Sequence, residues 1–517
     1  MATPRFDKIS DYLRYWASKA PGRTAYRHGE DVATYSRLNA EVDRFARALL
    51  AAGVGAGDRV AVRSTPRPEF WISFLATTSI GAVWLGINPR YKERELDHVI
   101  SDSKPRIVFA QVSADDRTAD DELTRVLVDG GAPPPVTFGD EPTELAEFLA
   151  AGGEVSSVEL KRAQNAVEPD RAALIVYTSG STGVPKGAML SNVGLCRSFE
   201  IQARHHGDDV MAVIANLPIN HIGGVGDLCC TPFINGGSIV FQETFDPAAI
   251  LRAVERDGVT TLMQVPTMLK MIAEHPAFDA TDLTTLKSVH WGGGPLPLSI
   301  IEAYRSRGLR VGTTYGLTEI TGSVTYSKES ASSIQLSESV GHPVDEVDLR
   351  LEAEDGSAAT TGKEGEILVR HPGQFIGYFN RPDATSAAMS DDGYLRTGDV
   401  GVLEPDGSLR LVGRMHEMYK SGGYNVYPRE VELVLESHPE VRLSAVVARP
   451  DPVYDEVGVA FVEIGQFDEE PEIELRRWCR ARLANFKIPK EFRIVEALPL
   501  LPIGKVDKVA LREQARG

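Results

Sequence analysis

The sequence predicts an α/β protein: a large N-terminal domain of two helix-covered sheets plus a β-rich subdomain, then a small α+β C-terminal domain. Three observations predict it. Helical and strand patterns alternate from Asp11 to Asp246 and again from Pro247 to Thr314, the order that builds parallel sheets covered on both faces. After about Gly341 short strands are separated by acidic-glycine pairs, Asp355-Gly356, Glu364-Gly365, Asp392-Gly393 and Asp406-Gly407, which read as hairpin turns. Beyond Arg414 the pattern contracts to a helix, a strand pair and a second helix. We therefore read 1–414 as the N-terminal domain, with the β-rich part at about 341–414, and 415–517 as the C-terminal domain. A chain of 517 residues is long enough, since domains typically take ~100–200 residues each.

The elements follow in order. Residues 35–52 carry Leu38, Val42, Phe45, Ala46, Leu49 and Leu50 at helical spacing and stop at Gly53. Residues 59–62 form a short strand, 68–79 an apolar helix, 82–87 a buried strand, 93–103 a helix and 106–110 a strand. The stretch 129–142, rich in Ala, Pro, Gly and Asp, reads as a surface loop. Residues 172–177 are a buried strand. Helices at 247–257, 266–274 and 297–307 then alternate with strands at 260–264, 286–291 and 309–314. In the C-terminal part the helices span 428–438 and 472–483, with a strand pair across 441–464.

Composition narrows the function. With 42% hydrophobic and 25% charged residues, the chain is neither disordered nor fibrous. A net charge of −18 repels phosphate backbones and anionic lipid, which disfavours generic nucleic-acid or membrane-surface binding. Any anionic substrate needs a locally built site. Cys196, Cys229, Cys230 and Cys479 lack zinc-ligand spacing and read as buried free thiols in a reducing compartment. No leader-like apolar region opens the chain and no apolar run reaches a membrane span, so the expectation is a cytoplasmic protein without stable membrane insertion.

The strand at 172–177 runs into Thr178-Ser179-Gly180-Ser181-Thr182-Gly183-Val184-Pro185-Lys186-Gly187. Glycines let a backbone approach an anion, hydroxyls add donors and the lysine adds a point charge, so this is a polyphosphate cradle. It is not the GxxxxGK[ST] loop, because Gly187 follows the lysine. The stretch resembles the signature loop of the AMP-forming adenylating enzymes: acyl-CoA and aryl-CoA synthetases, peptide-synthetase adenylation domains and beetle luciferases. Companion motifs occur in order along essentially the whole chain.

Gly292-Gly293-Gly294-Pro295 resembles the family's adenine-binding turn, where flat bases need a backbone free of side chains. Thr314-Tyr315-Gly316-Leu317-Thr318-Glu319 is similar to its TxYGxTE motif. The resemblance implies Tyr315 packed on adenine, Thr318 bonded to the α-phosphate and Glu319 holding Mg²⁺, with Thr182 in the same shell. Taken alone, Glu319 reads equally well as a carboxylate at a helix start. Tyr394 to Asp399 matches the family's TGD motif, which implies that Asp399 accepts from the ribose hydroxyls. Arg414 belongs to a GRxKD-like hinge, with His416 at the pivot of a mobile C-terminal domain. Gly423, in Ser421-Gly422-Gly423-Tyr424, is implied to leave room for a pantetheine arm; its plain alternative is a hairpin glycine. Lys505 ends a PxxxxGK-like tail and is implied to be the catalytic lysine, its ammonium stabilising charge that develops on the α-phosphate.

The implied acid pocket lies between Pro218-Ile219-Asn220-His221 and the adenine turn, with His221 at its mouth and Trp291 and Leu317 lining it; the small residues Gly223 and Gly224 read equally as space for a bulky acyl group or as a glycine-rich turn. Such walls favour an apolar or aromatic acid. The resemblance implies a ligase that joins a carboxylic acid to ATP, releases pyrophosphate and transfers the acyl group to CoA. ATP, Mg²⁺ and CoA are the implied cofactors and co-substrates, and a homodimer is compatible with this reading. The alternative acceptors are a carrier protein or an amine, and an unusual acid such as nitrite is an alternative substrate.

Overall fold

The computed structural model describes residues 4–112, 117–139, 144–178, 185–207, 210–465, 467, 470–501 and 505–516. Among these residues, four sheets organise the chain. The first has a parallel centre of six strands, ordered in space as Arg310–Leu317, Ser288–Gly292, Thr261–Gln264, Ala212–Ala215, Ser238–Phe241 and Thr24–His28. Gly322–Tyr326 and Asp31–Thr34 flank that centre in antiparallel fashion. The second sheet has a parallel centre of Ala172–Thr178, Val83–Ile87, Arg59–Arg63, Ile107–Gln111 and Val136–Phe138. Its other edge is antiparallel, formed by Lys186–Ser191 and Gly377–Tyr378. Helices cover both sheets, so Val83–Ile87 is buried at every position, as a strand covered on two faces must be.

The expected helices form close to their expected bounds: Tyr35–Ala51, Pro68–Ser79, Glu93–Ser103, Pro247–Asp257, Pro266–Ala273 and Leu298–Ser306. Local signals set their ends. Asp246 caps Pro247–Asp257 by accepting from the Ala248 amide at 3.0 Å, and Gly258 closes it at φ +67. Helix Asn192–His206 begins where the Ser191 hydroxyl accepts from Gly194 N at 3.0 Å. Its buried residues include Phe199, Gln202 and His206, which brings polar groups into the interior.

The third sheet is an antiparallel run of Asp348–Glu352, Glu364–Arg370, Leu395–Leu403 and Leu409–Arg414. Asp406-Gly407 makes the expected hairpin turn between its last two strands. Glu364-Gly365 does not turn; it opens a strand, with Gly365 paired to Gly401, because the chain reverses earlier around Asp355-Gly356. The stretch read as a plain loop at 129–142 also differs. Val136–Phe138 adds a parallel edge strand to the second sheet, and Phe138 is buried in the main core. A three-residue strand among Pro and Gly carries too little periodicity to be seen.

The fourth sheet pairs Val441–Asp451 with Asp455–Ile464, adds Tyr419–Ser421 and Tyr424–Val426 on one side, and carries Glu491–Val495 in parallel. Helices Pro428–Glu436 and Pro471–Arg480 pack on it, burying Val431, Leu435 and Leu475 in an apolar cluster separate from the main one. The large N-terminal part and small C-terminal part thus follow the predicted fold class. All four cysteines are buried and free. Among the described residues, no helix is long and apolar enough to cross a membrane.

Candidate active site

The motif residues converge at the C-terminal ends of the two parallel sheets. Strands Ser288–Gly292 and Arg310–Leu317 are neighbours, with Gly292 paired to Thr314, so the adenine-type turn and the Tyr315 segment emerge side by side. Gly293 takes φ +81, which only glycine adopts without strain. Gly316 has no room for a side chain, because Gly322 and Ser323 of the adjoining strand press against its Cα. The Thr314 hydroxyl is already committed, donating to the Thr325 carbonyl at 2.6 Å.

Asp399 is only 6% exposed, and both of its oxygens are engaged. Arg414 Nε lies 2.9 Å from Oδ1, and the Tyr315 hydroxyl donates to Oδ2 at 2.7 Å. Their strands are adjacent, with Asp399 in register with Arg414. Asp399 holds the Arg414 guanidinium above its usual pKa, while burial, seconded by Asp399, pushes the Tyr315 phenol up.

Glu319 sits in a short helical turn, Thr318–Ile320, just past the strand. Its Oε1 accepts from the Tyr378 hydroxyl at 2.8 Å, and its carbonyl accepts from Phe375 N at 2.7 Å. The Lys186 ammonium stands 4.6 Å from the Tyr378 ring centroid. Tyr378 therefore ties Lys186, on the second sheet, to Glu319, on the first. Sequence reasoning missed Tyr378; the nearby Gly-Tyr pair has no spacing that marks a site. Thr178 pairs with Lys186 across the base of the hydroxyl-rich loop, its own hydroxyl donating to the Lys186 carbonyl at 3.4 Å. Ser179, Gly180, Ser181, Thr182 and Gly183 lie outside the described residues.

Lys505 reaches this site from the far end of the chain. Leu500 bridges to Val506, and Leu501 N donates to the Lys505 carbonyl at 2.7 Å. A Cβ placed on Gly293 would stand 3.3 Å from Lys505 Cε and 3.6 Å from Nζ. Although solvent reaches Lys505, burial in the crowded cleft, then Arg414, lowers its pKa. The Lys270 ammonium also crosses between the two parts, donating to the Arg442 carbonyl at 2.9 Å. His416 lies in the turn Met415–Glu417 that joins them, and Lys508 binds Glu417 at 2.7 Å and Glu432 at 2.9 Å behind it.

His221 faces the same cleft. Burial, then Lys505, lowers its imidazole to about 4, so it is neutral at pH 7. It is followed by a π-helical segment, Gly223–Cys230. Here the glycines divide. A side chain on Gly224 would strike the Leu217–Pro218 backbone and one on Gly226 would strike the Phe199 ring, so close packing needs both. Gly223 has ordinary room, with Leu217 3.4 Å and Asp227 3.8 Å from an added Cβ. Trp291 is 2% exposed in the apolar cluster that contains Leu269, Leu296 and Ile300, one residue away from the turn that meets Lys505. Leu317 packs against the main core and pairs with Gly322. Gly294 and Pro295 continue the turn, Gly294 facing Pro266. Gly423 stands apart, at φ +84 in the two-residue turn between Ser421 and Tyr424, with nothing within 4 Å of an added Cβ.

The donor set suits a magnesium nucleotide. Among the described residues no three acidic, His or Cys side chains gather to hold a metal alone. Glu319 is a single carboxylate, which fits Mg²⁺ ligated chiefly by phosphate oxygens.

Residues 13–379 match the AMP-binding enzyme family, and residues 430–505 match the AMP-binding enzyme C-terminal domain. The chain is 34% identical over 508 residues to a feruloyl-CoA synthase of Amycolatopsis sp, covering 96% of this chain and 97% of that protein. It is 32% identical over 515 residues to an indoleacetate–CoA ligase of Aromatoleum aromaticum, covering 98% of each. Among solved structures, ATP-bound MatB from Rhodopseudomonas palustris superposes with a TM-score of 0.88 at 30% identity, covering 98% of this chain and 99% of that one. The amide bond synthetase McbA from Marinactinospora thermotolerans superposes with a TM-score of 0.86 at 29% identity, covering 98% of this chain and all of that one, 100%.

Proposed function

Because the chain belongs to the AMP-binding enzyme family, we propose that it activates a carboxylic acid with ATP and passes the acyl group to CoA. The observation that supports this reading most is the meeting of Lys505 with Gly293 beside the Asp399–Arg414 pair. One cation from the C-terminal tail and one carboxylate from strand Leu395–Leu403 flank a turn that a flat base can approach.

In the first step a carboxylate oxygen attacks the α-phosphorus, the bond to pyrophosphate breaks and an acyl-AMP remains. Asp399 accepts from the ribose hydroxyls, and Arg414, fixed by Asp399, contacts the ribose or the phosphate. Lys505 presents its ammonium where charge builds on the attacked phosphate and on the oxygen that becomes the bridge. Lys186 and the hydroxyl-rich loop cradle the polyphosphate. Glu319 and Thr182 would hold Mg²⁺, which would neutralise phosphate charge there. His221, neutral, walls the acid side without adding a second cation. In the second step the CoA sulfur attacks the acyl carbon and AMP leaves, with the C-terminal part, 415–517, turned about His416 so that Gly423 lines the thiol path.

Pyrophosphate exchange with a panel of acids tests the first step. Product mass spectrometry with CoA, or with an amine in its place, tests the second. No exchange with any acid overturns the ligase reading, and an amide without thioester reassigns the acceptor.

A further inference from the structure

An ionic chain runs from the turn that joins the two parts to the tail that carries Lys505. The Lys508 ammonium binds Glu417 Oε2 at 2.7 Å and Glu432 Oε1 at 2.9 Å. Glu417 follows His416 in the turn Met415–Glu417, and Glu432 lies on helix Pro428–Glu436. Glu432 also accepts from the Val446 amide at 2.9 Å and pairs with Arg429 at 3.1 Å, while Arg429 reaches Glu436 at 2.7 Å. The side chains of Lys508, Glu417 and Glu432 are 19%, 20% and 3% exposed. Two cations thus serve three carboxylates. Taking Lys508 away would leave Glu417 a largely buried charge in need of another partner, the costly state of a broken buried pair.

Glu417 also acts on the two cations of the candidate site. Its charge favours the charged forms of both Lys505 and Arg414. The charged groups around Lys505 are Arg414, Asp399 and Glu417, with the neutral His221 on the acid side. Burial alone would push the Glu417 carboxyl up; Lys508, then Arg414 and His416, hold it below its ordinary range. An ionised carboxylate therefore stands close to cations that the nucleotide needs. Lys508 lies three residues beyond Lys505, and the tail has other anchors. Asp507 caps helix Lys508–Arg516 by accepting from the Val509 and Ala510 amides at 3.0 and 3.1 Å, and its own amide donates to the Pro499 carbonyl at 2.8 Å. Leu511 and Ala515 are buried beside Val447, Val459 and Phe461.

We propose, resting on the ligase reading above, that Lys508 is a positioning residue for adenylation: by holding the Glu417 carboxylate it leaves Lys505 and Arg414 to the nucleotide. Lys508 itself is committed to two carboxylates and takes no part at the phosphate. Its effect lies in which cation Glu417 takes. Without it, Glu417 competes with the α-phosphate for Lys505 and with Asp399 for Arg414, because opposite charges in a crowded cleft attract more strongly than in water. The rival is an ion pair that only braces the fold. The two part on one point. If Glu417 is the competitor, removing its charge as well repairs the loss of Lys508; if the bridge itself matters, removing its second end repairs nothing.

Two assays on each preparation decide it: pyrophosphate exchange, and conversion of a supplied acyl-AMP to product, using an acid that supports exchange. They are run on Lys508→Met, Lys508→Arg, Glu417→Gln and the double variant Lys508→Met with Glu417→Gln, each with a melting curve. Lys508→Met is expected to lose about tenfold in kcat/KM for ATP in exchange, to keep the second half-reaction, and to regain most of the loss in the double variant. Lys508→Arg keeps the charge and is expected to stay near the wild-type rate. The alkaline limb of the exchange profile is expected to move in opposite directions. Glu417→Gln removes a charge that favours the Lys505 ammonium and shifts the limb to lower pH; Lys508→Met leaves that charge uncompensated and shifts it to higher pH. The proposal falls if folded Lys508→Met exchanges at the wild-type rate, if its two half-reactions fall together, or if the double variant recovers nothing; in each case the ligase reading stands. Where Lys508→Met does not fold, Glu417→Gln decides alone, and an unmoved alkaline limb overturns the proposal. If the wild-type protein exchanges pyrophosphate with no acid of a broad panel, the ligase reading falls and takes this one with it.

Discussion

Lys505 lies against Gly293, its Cε 3.3 Å from where a glycine Cβ would be, although 212 positions separate them in the chain (505 − 293). The contact brings the C-terminal tail against the turn beside Asp399, and a side chain on Gly293 would crowd the lysine. Gly423, by contrast, has nothing within 4 Å of an added Cβ.

Lys505→Ala is expected to reduce acyl-AMP formation by about 100–1,000-fold, the usual effect of removing one donor at a site of developing charge. Conversion of a supplied acyl-AMP to thioester should survive. Measuring both half-reactions on one preparation checks this, and a parallel fall would show that the lysine serves both.

The same lysine sets an alkaline limit. Its pKa is lowered, so the needed ammonium is lost, as pH rises, before the ordinary lysine value of 10.5. Adenylation should therefore decline on the basic side at a pH below that value, and replacement by arginine should move the decline upward. A pH–rate profile of the first half-reaction provides the measurement.

Asp399→Asn removes the charge that fixes Arg414 and accepts from Tyr315. Hydrogen bonds to a charged group contribute roughly 1.5–3 kcal/mol, so ATP affinity should fall about 10–100-fold. Calorimetric titration of ATP reads it directly; unchanged affinity would remove Asp399 from the nucleotide site.

Gly423→Leu and Gly423→Ala should both lower the melting temperature, because φ +84 strains any residue with a side chain. Nothing in the present arrangement obstructs either side chain. Only the leucine variant should lose thioester formation while keeping pyrophosphate exchange. Equal behaviour of the two would make Gly423 a turn glycine and nothing more.

Acid should destabilise the fold. Burial holds His206, His221, His290 and His371 below their ordinary 6.5, the last three to about 4, 3 and 4. As pH falls through 6.5 the unfolded chain takes up protons that the folded chain refuses, so stability is lost. Asp227 has the opposite sign, since its folded carboxyl protonates near 7 and its unfolded one near 3.8, and it offsets part of the loss. Melting temperature should drop steadily between about pH 6.5 and pH 4, and His290→Asn should flatten the slope.

Much was legible from residues in order. Alternating periodicity exposed the parallel sheets, and Asp246 and Gly258 marked helix ends, because these are local effects of side-chain spacing and backbone freedom. The Gly293, Tyr315, Asp399 and Lys505 motifs were visible because each occupies a short contiguous stretch. The sequence alone therefore determined the fold class, the family likeness and the residues to watch. Tertiary structure decided how they meet. Tyr378 joins Lys186 to Glu319 only because two sheets abut, and only packing shows that Gly224 and Gly226 have no room for a side chain. The polar cluster of Asp227, His206, His290 and Tyr326 has no spacing to betray it. Its members lie on a helix, a π-helical segment and two strands, and their burial side by side exists only once those elements are packed.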